Sequence, residues 1–309
     1  MANKKFGARS TTDQVLASVD LTGKNVVITG ANTGIGYEAA RSLASKGAKV
    51  ILACRNQAKT EQAIANIKQQ HPSADVEFQQ LDLASFQNIH QFANNLTLPH
   101  IDIFIGNAGL APMTYSETED GLESTVGVCH FGHFLLTNLL MDKILAAPKT
   151  EIGPRVVIVS SESHRMPLKI DFNNLPYNKD NFSFVKAYGQ AKLSNLLFAK
   201  ELQRRYEAEG LTACAIHPGN LVTTEIGRDN KWTRIGMKLI SPFTKSANQG
   251  AATTVYAAAY AEKSEVAGQY LSHCKVMKSS KESHRKEVAQ KLWQVSEDIC
   301  KLNQTEKAA

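Results

Sequence analysis

The chain alternates short apolar segments with longer helical ones over most of its length. From Lys24 to about Leu271, runs rich in valine and isoleucine recur between turn signals. They are apolar almost throughout, which is typical of parallel strands covered on both faces of a sheet. The predicted strands are Asn25–Thr29, Lys49–Ala53, Val76–Leu81, Ile101–Ile105, Arg155–Ser160, Thr212–Ile216 and Gln269–Leu271.

Helical patterns separate these strands. They cover Glu38–Lys46, Gln57–Gln70, Leu122–Leu145, Lys192–Glu209 and Asn248–Glu262, with a further helix near 281–302. Repeated strand–helix alternation implies right-handed crossovers and a parallel sheet. We therefore predict an α/β protein: a doubly wound (Rossmann) parallel sheet of about seven strands, with helices on both faces. Residues 1–20 are predicted to form an N-terminal extension and residues 21–309 a single domain, with an insertion loop at Glu162–Ala187.

Composition excludes several classes of protein. Among 309 residues the net charge is +6, and the basic residues are scattered rather than clustered or interleaved with aromatic ones, which argues against a nucleic-acid partner. Five widely spaced cysteines without a CxxC pair favour reduced thiols over disulfides, and we expect no metal site. No run approaches 18 apolar residues, and the first 20 residues lack a signal-peptide core. The expected location is the cytoplasm.

A glycine-rich turn lies between the first strand and the first long helix. Gly30 allows a tight turn, Gly34 lets backbone approach a pyrophosphate, and Gly36 permits close packing of helix on strand. The N-terminus of the helix would supply free N–H groups to the anion. A glycine turn without a ligand is the alternative, which the strand–turn–helix context disfavours. The predicted binding loop comprises Gly30, Asn32, Thr33, Gly34, Ile35 and Gly36.

The end of the second strand bears on the choice of cofactor. An enzyme that binds the free ribose hydroxyls of NAD usually carries an acidic residue there. This chain has Arg55 instead, whose guanidinium can form a forked contact with a 2′-phosphate. NADP(H) is therefore the predicted cofactor, and a solvated surface arginine is the alternative.

Three further turns extend the predicted cofactor site. Asp82 could accept a hydrogen bond from the adenine amino group while Leu83 donates its backbone N–H. Small residues at Asn107, Ala108 and Gly109 would let the backbone pass the ribose. Each could equally be an ordinary turn or cap.

A tyrosine and a lysine four residues apart form the predicted catalytic pair. Tyr188 and Lys192 share one helical face. A free phenol titrates near pH 10, and a neighbouring ammonium favours the phenolate, so the pair could exchange protons near neutrality. Lys192 could also bind the nicotinamide ribose, and Ser161 could hold the substrate oxygen beside the tyrosine. The turn Pro218-Gly219 follows the sixth strand, and Thr223 beyond it could bind the carboxamide of the nicotinamide.

These motifs occur in an order that resembles the short-chain dehydrogenase/reductase family: TGxxxGIG at 29–36, NAG at 107–109, a serine at 161, YxxxK at 188–192 and PG at 218–219. The segments 160–165, 217–220, 242–246 and 250–256 are similar to the oxidoreductase domain of WW-domain-containing oxidoreductases and to retinol-dehydrogenase-like enzymes. The resemblance implies hydride transfer to or from a lipophilic carbonyl or alcohol, such as a retinoid or a steroid. It also implies a dimer or tetramer, and an apolar substrate lid near 224–246 would fit such a substrate, with an ordinary packing helix as the alternative.

One position departs from the family pattern. Cys129 stands where the resemblance implies an asparagine that supports a proton-relaying water next to the lysine. A thiol is a weak hydrogen-bonding group, so the relay is in doubt. This departure motivates one alternative, a nucleotide-binding scaffold or sensor with little turnover. The family resemblance allows another, a C=C reductase, because the light-dependent protochlorophyllide reductases share the same layout.

Overall fold

A computed structural model describes residues 6–167, 169–175, 177–219 and 245–302. Its strands form one eight-stranded sheet in the order β3-β2-β1-β4-β5-β6-β7-β8. All neighbouring pairs are parallel except the last, β7 with β8. The strands are β1 Asn25–Thr29, β2 Lys49–Cys54, β3 Val76–Gln80, β4 Ile103–Gly106, β5 Arg155–Val159, β6 Thr212–His217, β7 Tyr270–Ser272 and β8 Lys275–Val276.

Helices cover both faces of the sheet. The α-helices are α1 Thr12–Val15, α2 Gly34–Ala44, α3 Gln57–Gln70, α4 Phe86–Asn95, α5 Ser124–Val126, α6 His133–Leu139, α7 Met141–Leu145, α8 Phe184–Tyr206, α9 Ala247–Val255, α10 Lys263–Val266 and α11 Lys286–Cys300. One hydrophobic core joins α4, α6, α8 and α11 to one face, and a second joins α1, α2 and α9 to the other. The predicted doubly wound α/β fold is confirmed.

The sheet has one strand more than predicted. The seven predicted strands are all present, with ends within two residues of the predicted ones. The eighth, β8, is a two-residue return that pairs antiparallel with β7 through a tight turn at His273 and Cys274. Both turn residues have positive φ, at 56° and 55°. Asn-Gly, the usual signal for such a turn, is absent here, so the sequence pattern did not reveal it.

The predicted helix Leu122–Leu145 is wrong as a continuous element. After Leu122 and Glu123 the chain forms α5, then a π-helical turn at Gly127–Gly132, and then α6 and α7. The helix predicted to begin at Lys192 begins at Phe184 instead, so the insertion loop predicted at Glu162–Ala187 ends at Ser183. Helix α11 is also shorter than the stretch 281–302 predicted for it, because a short 3₁₀ turn at Glu282–His284 precedes it.

The N-terminal segment packs onto the domain. The side chain of Asn248 accepts a hydrogen bond from the Thr12 backbone N–H at 2.8 Å and donates one to Asp13 at 3.0 Å. Arg41 of α2 forms an ion pair with Asp13 at 3.0 Å. Phe6 contacts Tyr260 edge to face, with ring centroids 5.0 Å apart. The segment therefore bridges α2 and α9 on one face of the sheet.

Candidate active site

A cleft of about 850 Å³ lies at the carboxyl ends of the parallel strands. The strand order reverses direction between β1 and β4, and open α/β sheets bind their ligands at this kind of position. Every described residue of the predicted site lines the cleft: Gly30, Asn32, Thr33, Gly34, Ile35, Gly36, Arg55, Asp82, Leu83, Asn107, Ala108, Gly109, Ser161, Tyr188, Lys192, Pro218 and Gly219. Thr223 and most of the predicted lid lie outside the described residues, apart from Lys245 and Ser246.

The glycine loop has the geometry required to hold an anion. Gly30 and Gly34 have positive φ, at 63° and 58°. Thr33 precedes α2 without a side-chain capping bond, so its side chain does not occupy the N–H groups of the first turn. A Cβ on Gly36 would lie 2.5 Å from the amide nitrogen of Asn107 and would overlap the Gly30 carbonyl. Only glycine fits at position 36 without displacing the loop.

Asn107 and Thr29 join the glycine loop to the turn after β4. The Asn107 side-chain amide donates to the Thr29 carbonyl at 2.9 Å and to the Gly30 carbonyl at 3.2 Å. The Thr29 hydroxyl accepts the backbone N–H groups of Asn107 and Ala108, each at 2.9 Å. The Asn107 side chain is therefore engaged in holding the two loops together, and the backbone of this turn faces the cleft.

The end of the cleft beside β2 and α3 carries positive charge. Arg55 follows β2 and is exposed; within the described ranges its side chain forms no hydrogen bond or ion pair. Lys59, in the first turn of α3, also lines this end and was not predicted. The sequence carries no local signal for this role, because Arg55 precedes the helix and the direction of an exposed lysine cannot be read from its position. Asp82 also lines the cleft, and one of its carboxylate oxygens accepts the Ala84 N–H at 2.9 Å.

Ser161, Tyr188 and Lys192 line the other end of the same cleft. Lys192 is only 4% exposed, and its ammonium donates to the Val159 carbonyl at 3.2 Å and lies 5.5 Å from the centre of the Tyr188 ring. The Lys192 backbone carbonyl accepts the Ser160 hydroxyl at 2.7 Å. These bonds tie α8 to the end of β5. The ammonium has three protons, and the described bonds use only one of them, in the bond to the Val159 carbonyl. It can therefore still donate to a group in the cleft.

Backbone contacts position Ser161. Its hydroxyl accepts the Ser163 N–H at 3.2 Å and caps a short 3₁₀ turn. The buried ring of His164 contacts the Ser161 carbonyl through Nδ1 at 2.7 Å, and its Nε2 accepts the Ser280 N–H at 3.1 Å. Burial lowers the pKa of His164. The neutral ring thus links the serine to the C-terminal segment that precedes α11.

Cys129 lies in the π-helical turn behind this pair. It is fully buried within the apolar core, and its thiol contacts the Leu110 carbonyl at 3.5 Å. A Cβ on Gly109 would lie 3.4 Å from the Cys129 sulfur and 3.5 Å from the Lys192 ammonium. The thiol and the ammonium therefore approach the same small residue, as the sequence comparison with the family pattern implied.

Comparison with known proteins gives a consistent result. The family model described as short chain dehydrogenase matches residues 24–173. The chain is 40% identical to human WW domain-containing oxidoreductase, over 96% of this chain and 72% of that protein. It is 42% identical to mouse retinol dehydrogenase 12, over 90% of this chain and 87% of that enzyme.

A solved structure shares the same fold. A putative uncharacterized protein from Mycobacterium paratuberculosis superposes with a TM-score of 0.75 at 33% identity, covering 95% of this chain and 98% of that one. Among the described residues, no helix combines the length and apolar character needed to cross a membrane. On the family match and these relatives together, the chain belongs to the short-chain dehydrogenase/reductase family of oxidoreductases.

Proposed function

We propose that this protein is an NADP(H)-dependent oxidoreductase that transfers hydride between the nicotinamide and a carbonyl or alcohol carbon. One observation carries the proposal: the glycine loop and the Ser161, Tyr188 and Lys192 side chains line a single cleft. A nicotinamide cofactor bound there would supply or accept the hydride, and the protein would have to supply the proton and the position of the substrate oxygen.

Each of the three side chains has a distinct role in this proposal. The Tyr188 hydroxyl exchanges a proton with the substrate oxygen, and the Ser161 hydroxyl holds that oxygen in place. The Lys192 ammonium, 5.5 Å from the centre of the tyrosine ring, is its electrostatic partner and binds a ribose hydroxyl. Its anchorage on the Val159 carbonyl fixes it at the end of β5 and so limits the positions that it can take.

The residues of the glycine loop fit a dinucleotide. The first turn of α2 has no side-chain cap, and Gly36 leaves room that a side chain would fill. Arg55 and Lys59 provide two exposed cations where a 2′-phosphate would lie, and the end of β2 offers no carboxylate to a ribose hydroxyl. These features favour NADP(H) over NAD(H).

A lipophilic carbonyl or alcohol is the proposed substrate. The cleft wall next to the turn after β4 is apolar at Leu110, Ala111 and Pro112, with Val128 behind them. Mouse retinol dehydrogenase 12, which this chain matches over most of its length, is named for a substrate of this kind. The buried thiol at Cys129 favours the alternative of a nucleotide-binding scaffold with little turnover. The shared cleft of Ser161, Tyr188 and Lys192 argues against it.

The test measures turnover of the purified chain with NADPH and a panel of aldehydes, ketones, retinoids and steroids. The absorbance of NADPH reports the reaction. Tyr188→Phe removes the proton but keeps the ring that stacks on Phe184, so kcat is expected to fall by roughly 10² to 10⁴ while cofactor binding persists. Tyr206→Phe, at the far end of α8 and outside the cleft, is the matched control. Tight NADPH binding without turnover on any substrate would support the scaffold instead, and near-normal turnover of Tyr188→Phe would place the proton donor elsewhere.

A further inference from the structure

His133 is one of the buried histidines to which the roles proposed for the cleft assign nothing. His133 is 1% exposed and begins α6, directly after the π-helical turn. Its Nε2 lies 2.8 Å from the Thr29 hydroxyl at the end of β1. Its Nδ1 lies 3.1 Å from the Val128 carbonyl and 3.2 Å from the Cys129 carbonyl. The ring therefore connects the strand that leads into the glycine loop with the turn that packs behind Lys192.

The partners of this ring determine which nitrogen carries its proton. The Thr29 hydroxyl accepts the N–H groups of Asn107 and Ala108, which occupies both of its lone pairs. Its single proton is left for the Nε2 of His133. Since Nε2 accepts, Nδ1 carries the ring proton and donates it to the two carbonyls. All the hydrogen-bonding groups of the imidazole are satisfied in this one neutral tautomer.

The surroundings keep His133 neutral. Burial, together with the nearby Lys192 ammonium, lowers the pKa of His133 to about 4. The carbonyls of Val128 and Cys129 act in the opposite direction but do not offset burial. A second proton on Nε2 would face a hydroxyl with no free lone pair. The ring is thus suited to hold groups in place and not to transfer protons near neutrality.

The π-helical turn explains how one side chain reaches both ends of this connection. A π-helical turn is wider than an α-helical one, and such turns frequently occur at functional sites. Here the ring at position 133 reaches back to carbonyls four and five residues earlier while its far side reaches β1. The only described hydrogen bond of the Cys129 side chain is the 3.5 Å contact to Leu110, so the described hydrogen bond that links this region to β1 comes from His133.

We propose that His133 is a positioning residue that sets the glycine loop and the wall behind Lys192 in a fixed relation. Through Thr29 it acts on the loop and on the turn 107–109, which would hold the cofactor. Through the Val128 and Cys129 carbonyls it acts on the surroundings of the lysine. This inference rests on the proposed function, and it predicts that the two halves of the ring affect cofactor binding and turnover separately.

Two amide substitutions separate the halves. The side-chain nitrogen of asparagine can replace Nδ1, so His133→Asn keeps a donor for the two carbonyls and loses the acceptor for Thr29. Glutamine reaches further and can replace Nε2, so His133→Gln keeps a partner for Thr29 and loses the donor. We expect His133→Asn to weaken NADPH binding about tenfold with a smaller change in kcat, and His133→Gln to lower kcat about tenfold with nearly normal binding. Thr29→Val is the companion variant: because it also removes the acceptor of the Asn107 and Ala108 N–H groups, its loss of NADPH binding should be at least as large as that of His133→Asn.

A measurement without cofactor or substrate keeps this test separate from the proposed function. Amide hydrogen exchange at Asn107 and Ala108 reports the Thr29 contact directly, and we expect faster exchange in His133→Asn and nearly unchanged exchange in His133→Gln. That difference would support the positioning role even if the chain turned over no substrate. Equal losses of binding, turnover and Tm in both variants would show a merely structural role and overturn the proposal. Unchanged amide exchange in both variants would also overturn the proposal.

Discussion

The contribution of Arg55 to cofactor choice can be worked out from its surroundings. The side chain is exposed and forms no described hydrogen bond or ion pair, so Arg55→Ala removes nothing that the fold uses. The one described bond at this residue is made by its backbone carbonyl, which accepts the Gln80 amide at 3.0 Å and survives the substitution. Any loss of affinity can therefore be assigned to the contact with the ligand.

The expected magnitude follows from a charge-assisted hydrogen bond at an exposed site. Such bonds are worth roughly 1.5–3 kcal/mol, and exposure favours the lower end of that range. Arg55→Ala should therefore weaken NADPH about ten- to thirtyfold and leave NADH nearly unchanged, because NADH lacks the 2′-phosphate. Arg55→Lys keeps the charge but loses the forked geometry, so its affinity for NADPH should lie between those of the unmodified protein and Arg55→Ala. Lys59→Ala should weaken NADPH binding only a few-fold.

Fluorescence titration of NADPH and NADH against each variant measures these dissociation constants. Raising the ionic strength should reduce the preference of the unmodified protein for NADPH, because both cations are exposed to solvent. Equal losses for the two cofactors in Arg55→Ala, or an unmodified protein that prefers NADH, would refute the reasoning.

Three further outcomes are expected. Gly36→Ala should lower Tm and weaken NADPH more than tenfold, because its methyl group would overlap the Gly30 carbonyl; normal values for both would contradict this packing. Cys129→Asn would bury an amide in an apolar site, which should lower the free energy of unfolding by about 1–3 kcal/mol, lower Tm and leave kcat no higher. A variant that is faster and equally stable would contradict this and would support a water relay at this position. Burial lowers the pKa values of His130 and His133 in the folded protein to about 3 and 4, whereas in the unfolded chain both histidines take up protons below pH 6.5. The free energy of unfolding should therefore fall between pH 6.5 and 4 by about 3 kcal/mol for each histidine. In denaturant titrations at pH 7 and 4.5, His130→Leu should lose less stability than the parent.

The sheet was predictable from the sequence because β1, β2, β4, β5 and β6 are buried almost throughout and so appear as continuous apolar runs. The order of motifs also placed the residues that line one cleft, since the carboxyl ends of parallel strands meet at one edge. Lys59 was missed because an exposed lysine on a helix carries no local signal of its direction. The surroundings of Arg55 had to be seen before Lys59 became relevant.

Elements fixed by distant contacts were not predictable in the same way. The π-helical turn at Gly127–Gly132 is followed directly by His133, whose ring bonds to Thr29, 104 residues away in the chain. The apolar pattern around it fits an ordinary helix equally well. The early start of α8 at Phe184 likewise follows from packing, because Gly189 lies against Pro167 and the Ser163 carbonyl.

The bridge that the N-terminal segment makes to α9 has a consequence for the order of folding. Thr12 and Asn248 are 236 residues apart, so most of the chain must be synthesised before this contact can form. Contacts between residues so far apart in the chain form late, because closing the loop between them costs conformational entropy before the contact can stabilise it. We therefore expect the face of α2 that packs against α9 to stay open on the ribosome until α9 has emerged. A nascent chain that stops before Asn248 should present that face to solvent or to a chaperone.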